Sequence, residues 1–146
     1  MKRKLLVVFA FLTPLLWARP VQAADPAQVQ QLLTTNSCEG CDLSGADLRQ
    51  AHLIGADLRN ADLTGAQLQE ANLEGADLTG ASLKQADLTD AFLTNASLNL
   101  THLQSVNLTR ARLYNVEARG AVIANINLTD VKMWGTPISV GGASLP

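Results

Sequence analysis

Two cysteines, two histidines and thirteen acidic side chains are the groups in this 146-residue chain with the types needed for redox, metal or acid–base chemistry. Cys38 and Cys41 form a CxxC spacing, open to three readings: a structural disulfide, a redox-active pair, or part of a metal site. Residues three apart across a tight turn lie within the Cα distance a disulfide spans, and an oxidising compartment would favour that bond. Thioredoxin-like redox chemistry needs a strand-to-helix setting that the surrounding sequence lacks. A metal would need more ligands nearby. His52 and His102 stand far apart in the chain, and no serine, histidine and carboxylate set suggests a nucleophile, so no catalytic residue and no cofactor is expected.

The elements around these residues are dictated by a five-residue period that runs from Cys41 to Gly135 and begins CDLSG ADLRQ AHLIG ADLRN. A helix advances about 100° per residue, so leucines five apart would walk around its cylinder instead of forming a stripe. A continuous strand alternates with period two and would send every second leucine to water. The period works only if each unit is a short extended stretch followed by a corner, with Ala46 inward, Asp47 outward, Leu48 inward, and Arg49 and Gln50 turning the chain. Gly45, Gly55, Asn60, Gly65, Gly75, Gly80, Asn95 and Gly135 fit corners that require positive φ. Gln50, Glu70, Gln85, Asp90 and Arg110 at the same position suggest that other corners use a turn needing no left-handed residue.

These units resemble the pentapeptide-repeat family, whose pattern is alanine, aspartate or asparagine, leucine, and two variable residues. The resemblance covers about two-thirds of the chain. It implies an all-β solenoid, a right-handed quadrilateral β-helix with four units per coil and about five coils over residues 36–135. In that register His52 and His102 fall on different faces, which rules out a joint metal site. Asp57 stacks on Asp77 and Asp42 on Asp62, but these carboxylates face solvent beside Arg49, Arg59 and Lys84, so no metal site is expected. One outward column reads His52, Asn72, Phe92, Arg112, Lys132, and the next reads Ile54, Glu74, Thr94, Tyr114, Trp134. Phe92, Arg112, Tyr114, Lys132 and Trp134 gather toward the C-terminal end as a candidate partner face, since aromatics and arginine are enriched at interaction hot spots. The competing reading is that the C-terminal tail covers them.

The ends divide the chain further. Lys2, Arg3 and Lys4, the apolar run Leu5 to Trp17, and the small-residue site Val21, Gln22, Ala23 read as a signal peptide over residues 1–23. The apolar run, broken by Pro14, is short for a membrane anchor, which needs roughly twenty residues. Cleavage leaves seven basic against thirteen acidic residues, a net charge of −6, with the acids concentrated before Leu100 and Arg110, Arg112, Arg119 and Lys132 after it. Asp25 and Pro26 make a helix start, and Val29, Leu32 and Leu33 an apolar face, so residues 24–35 are expected to form an α-helix that caps the first coil. Residues 136–146 abandon the repeat, and Ile138, Val140 and Leu145 suit a second cover.

The leading functional expectation is a non-enzymatic, exported scaffold for a protein partner, with no nucleic-acid ligand and no membrane contact after signal cleavage. Its expected compartment is a periplasm or, as the resemblance to exported cyanobacterial members implies, a thylakoid lumen, with secretion as the alternative. The runner-up also comes from the resemblance: some family members imitate duplex DNA with acidic rods and bind DNA gyrase. Export disfavours it, because gyrase is cytoplasmic.

Overall fold

The computed structural model describes residues 24–136, 139–140 and 143–144; the signal-peptide reading of residues 1–23 lies outside them, as do the tail side chains Ile138, Val140 and Leu145. The chain opens with helix α1, Pro26–Thr35. Asp25 caps it, its Oδ1 accepting from Ala27 N at 2.9 Å, and Pro26 occupies the first turn, where a missing N–H costs nothing. Asn36 ends the helix in the left-handed region, φ 54°, with its N–H bonded to Leu32 O. Leu32 is fully buried and Val29 partly so. Leu33, expected on the same face, is instead 49% exposed, because one residue further along rotates it about 100° away from Leu32.

From Ser37 onward the chain returns alongside itself every 20 residues. Ser37 bridges Asp57, Asp42 bridges Asp62, Asp47 bridges Gln67 and His52 bridges Asn72, all in parallel, so four five-residue units separate stacked partners. The bonds repeat with the same offsets. Leu43 N donates to Asp62 O and Gly45 N to Thr64 O, while Asp62 N donates back to Cys41 O, each at 2.8 Å. This ladder satisfies backbone groups that burial would otherwise leave unpaired.

Through Leu100 each unit contributes a single bridging residue. Beyond it every second rung lengthens into a three-residue strand, β1 His102–Gln104, β2 Arg112–Tyr114, β3 Val122–Ala124 and β4 Lys132–Trp134, while Asn107, Glu117 and Asn127 remain single bridging residues. β1 pairs with β3 and β2 with β4, both in parallel. Ser139–Val140 (β5) and Ala143–Ser144 (β6) form an antiparallel pair, and β5 lies beside β3. Among the described residues no helix is long and apolar enough to cross a membrane.

The interior is a column of leucines and a column of alanines. Leu43, Leu53, Leu63, Leu73, Leu83 and Leu93 are inaccessible, as are Ala56, Ala66, Ala71, Ala81 and Ala91. Burial comes from the coils above and below, so it fades at the end: Ala121, Ile123, Ile126, Leu128, Val131 and Met133 are only partly covered.

All corners share a left-handed fifth residue. Every fifth residue from Gly40 to Gly135 has positive φ, including Gln50 (57°), Glu70 (59°), Gln85 (58°), Asp90 (59°) and Arg110 (58°). The expectation of a corner type without a left-handed residue is therefore wrong. Holding an L-residue there costs about 1–2 kcal/mol, which the ladder on both sides of each corner offsets. Corners differ instead in their closing bond. Most are closed as at Ala46 N to Leu43 O, 3.0 Å, but no such bond joins Val106 to Leu103, Val116 to Leu113 or Ile126 to Ile123. In each open corner a β-branched residue takes the alanine position, where its extra bulk spreads the turn. Val131, whose N–H still reaches Leu128 O at 3.2 Å, shows that branching alone is not sufficient.

Candidate interaction face

The register brings the sequence-predicted residues together. Asn72 bridges Phe92, Phe92 bridges Arg112, and Arg112 lies opposite Lys132, while Tyr114 lies opposite Trp134. The Arg112 guanidinium carbon sits 4.7 Å from the Phe92 ring centroid, a cation–π contact that orders both side chains. Tyr114 is half-buried, and Trp134 is 71% exposed, the largest exposure among the big apolar side chains of the described residues.

The five residues split into two rows. Phe92, Arg112 and Lys132 line a groove of about 440 Å³ whose other wall is a corner column, Glu70, Asp90, Arg110 and Asp130; Tyr114 and Trp134 stand outside it. Sequence reasoning missed this second wall, although charged residues at one corner through three successive 20-residue intervals were a readable signal. Arg110 grips Asp90 with two bonds, Nε to Oδ1 at 2.9 Å and Nη2 to Oδ2 at 2.6 Å. Those bonds hold the Asp90 carboxyl below the ordinary aspartate range. Among the described residues no carboxylate lies within ion-pair distance of Arg112 or Lys132.

Elsewhere several outward acids are occupied. Arg59 bonds Asp57 at 2.7 Å and Glu39 at 3.0 Å and approaches Asp77 to 4.0 Å, and its hydrogen bonds lower the Asp57 pKa. Arg49 pairs with Asp47 at 2.6 Å. Asp87 accepts from Thr89 N, Thr89 Oγ1, Gln69 Nε2 and Asn107 Nδ2. Burial pushes its pKa up, but these donors outweigh burial and the value falls.

His52 and His102 sit on different ladders, opposite Asn72 and Ser82, and no group of three or more metal-ligating side chains forms among the described residues. Cys38 and Cys41 are joined as a disulfide across the Gly40 corner, with 5.3 Å between their Cα atoms. The clamp lies under α1, which is tied down by Gln31 Nε2 to Ser37 O at 2.9 Å and by Asp25 N to Asp42 O at 3.3 Å.

A family model described as pentapeptide repeats matches in eight copies, over residues 41–80, 66–104, 76–115 and 96–135. The chain belongs to the pentapeptide-repeat family. Among solved structures, a pentapeptide repeat protein from the Arabidopsis thaliana thylakoid lumen is 35% identical, with a TM-score of 0.65 over 69% of this chain and 71% of that one. QnrB1, a plasmid-mediated fluoroquinolone resistance protein, aligns with a TM-score of 0.63 at 21% identity over 68% of this chain and 51% of its own, a likeness of fold alone. The search of curated proteins gives no match.

Proposed function

We propose that this pentapeptide-repeat chain is a non-enzymatic, exported scaffold that binds a protein partner through Phe92, Arg112, Tyr114, Lys132 and Trp134. The observation that carries the reading is the in-register stacking of Phe92, Arg112 and Lys132 beside Tyr114 and Trp134, which sets aromatic and cationic side chains on one face. The framework is read as a right-handed quadrilateral β-helix of about five coils over residues 36–135, preceded by a signal peptide (1–23) and a capping helix (24–35) and followed by a capping tail (136–146). The 20-residue ladder supports the square coil.

An oxidising exported compartment, a thylakoid lumen or a periplasm, is favoured by the disulfide and by the lumenal relative at 35% identity. The alternative, a DNA-mimicking gyrase binder, has less support. It needs unbroken acidic columns, and Arg49, Arg59 and Arg110 interrupt them with ion pairs.

The test is affinity capture from the native compartment with protein beginning at Ala24, beside a folded Phe92→Ser, Tyr114→Ser, Trp134→Ser variant. A protein held by the wild type and lost by the variant is the expected result. Equal capture by both would return the aromatics to packing.

A further inference from the structure

The ladder stops with backbone groups still unmatched. Throughout the repeats, a third-position amide donates to the carbonyl 19 residues on, as Leu93 N does to Arg112 O at 2.8 Å. Corner amides do the same, as Asn95 N does to Tyr114 O at 2.8 Å. Each second-position amide reaches back to a first-position carbonyl, as Lys132 N does to Ala111 O at 3.0 Å. By that rule Met133 N on β4 and the flanking Gly135 N and Val131 O point toward a further rung, and no described residue bonds any of them. Their inward neighbours tell the same story, for Val131 and Met133 are only partly covered where Ala111 and Leu113 directly below are inaccessible. β5 lies beside β3, on another face of the coil, and no described strand other than β2 pairs with β4.

The charge at this edge narrows what could complete it. Lys132 stands directly opposite Arg112, a like-charge cross-strand pair, with no carboxylate in ion-pair range of either among the described residues. Like charges in that position repel, and an acid on the next rung would relieve them. Backbone pairing would supply affinity and alternate side chains would supply selection, as in β-strand addition generally.

We propose that the outer edge of β4 is a docking edge for one extended segment of a partner protein. That segment carries an acidic side chain over Lys132 and apolar side chains over Val131 and Met133. The sequence that meets this requirement elsewhere in the chain is alanine, aspartate, leucine, the rung that Ala76, Asp77 and Leu78 supply to their own ladder. This edge shares Lys132 with the outward face but not Phe92, so Phe92→Ser separates the two sites.

The probe is a capped, fluorescein-labelled decapeptide of two Ala-Asp-Leu-Thr-Gly units, titrated into the purified protein. Anisotropy is expected to report binding that weakens with salt and falls about tenfold or more in Lys132→Glu. Binding should vanish when alternate peptide amides are methylated and should persist in Phe92→Ser. Hydrogen exchange at Met133 and Gly135 should be fast in the free protein and slow with the peptide. Four results would overturn the proposal: no binding at millimolar peptide; binding indifferent to amide methylation; amides at Met133 and Gly135 already protected in the free monomer, meaning that the chain's own C-terminal segment holds the edge; or sedimentation showing a dimer that protects them, meaning that a second copy does.

Discussion

The stretch from Cys41 to Leu100 and the stretch from Thr101 to Gly135 share one ladder and differ in what fills it. In the first, alanine and leucine alternate inside, each unit pairs through a single residue, and every corner is closed by a turn bond. In the second, Thr101, Val106, Val116, Ile126 and Val131 replace alanine, and Ala118, Ile123 and Met133 replace leucine. Every second rung there extends to three residues, and the corners after β1, β2 and β3 open. The ladder therefore tolerates a change of interior without losing its 20-residue offset. The same region carries Phe92's cationic neighbour Arg112, Lys132 and the exposed Trp134, so the departure from uniformity inside coincides with the distinctive surface outside.

The contrast breaks most plainly at the leucine column. Leu78→Ala leaves a cavity between covered coils and should cost about 2–5 kcal/mol, whereas Leu128→Ala, at a partly covered position, should cost roughly half as much; urea unfolding of both checks this. Thr136→Val sharpens it at the open corner after β2, where the Thr136 hydroxyl donates to Leu113 O at 2.6 Å and accepts from Val116 N at 3.1 Å. Leaving both groups unmatched should cost about 2 kcal/mol, read as a lower midpoint and faster amide exchange at Val116. Gly80→Ala comes next. Its new Cβ would run into Asn60 Oδ1, while the space beside Gly65 is empty, so Gly80→Ala should cost about 1–2 kcal/mol and more than Gly65→Ala, with Asn60→Ala erasing the excess. The smallest effect is Asp87→Asn. The folded Asp87 pKa lies below its unfolded value, so its contribution is full above about pH 4 and is lost as pH falls through the lowered folded value. The substitution should cost less than about 1 kcal/mol at pH 7 and flatten the stability profile in acid.

Much of this fold could be read from the residues because a period of five with an alternating interior admits few backbones. Ala46 and Leu48 inward, Asp47 outward, and the column Phe92, Arg112, Lys132 all follow from it and from four units per coil. The corners at Gln50, Glu70, Gln85, Asp90 and Arg110 did not follow. Local preference argues against a left-handed glutamine, and only ladders on both sides impose it. Leu33 was misplaced because a ten-residue helix buries one narrow stripe, which Leu32 fills. At the candidate face, register predicted which residues are neighbours but not that Arg112 would lie over the Phe92 ring or that the Glu70, Asp90, Arg110 and Asp130 corners would wall a groove. Those depend on rotamers and on side-chain reach, which periodicity does not encode.

The 20-residue offset also acts as an index for sequence change. Removing one five-residue unit from the uniform stretch would leave every inward position filled by an equivalent residue, yet it would turn all later side chains to the next face. Lys132 would then no longer continue the line of His52 and Asn72. Removing four units would shorten the stack and keep every column aligned. Length changes in this chain thus come in two kinds, quarter steps that rewrite the surface and whole steps that preserve it.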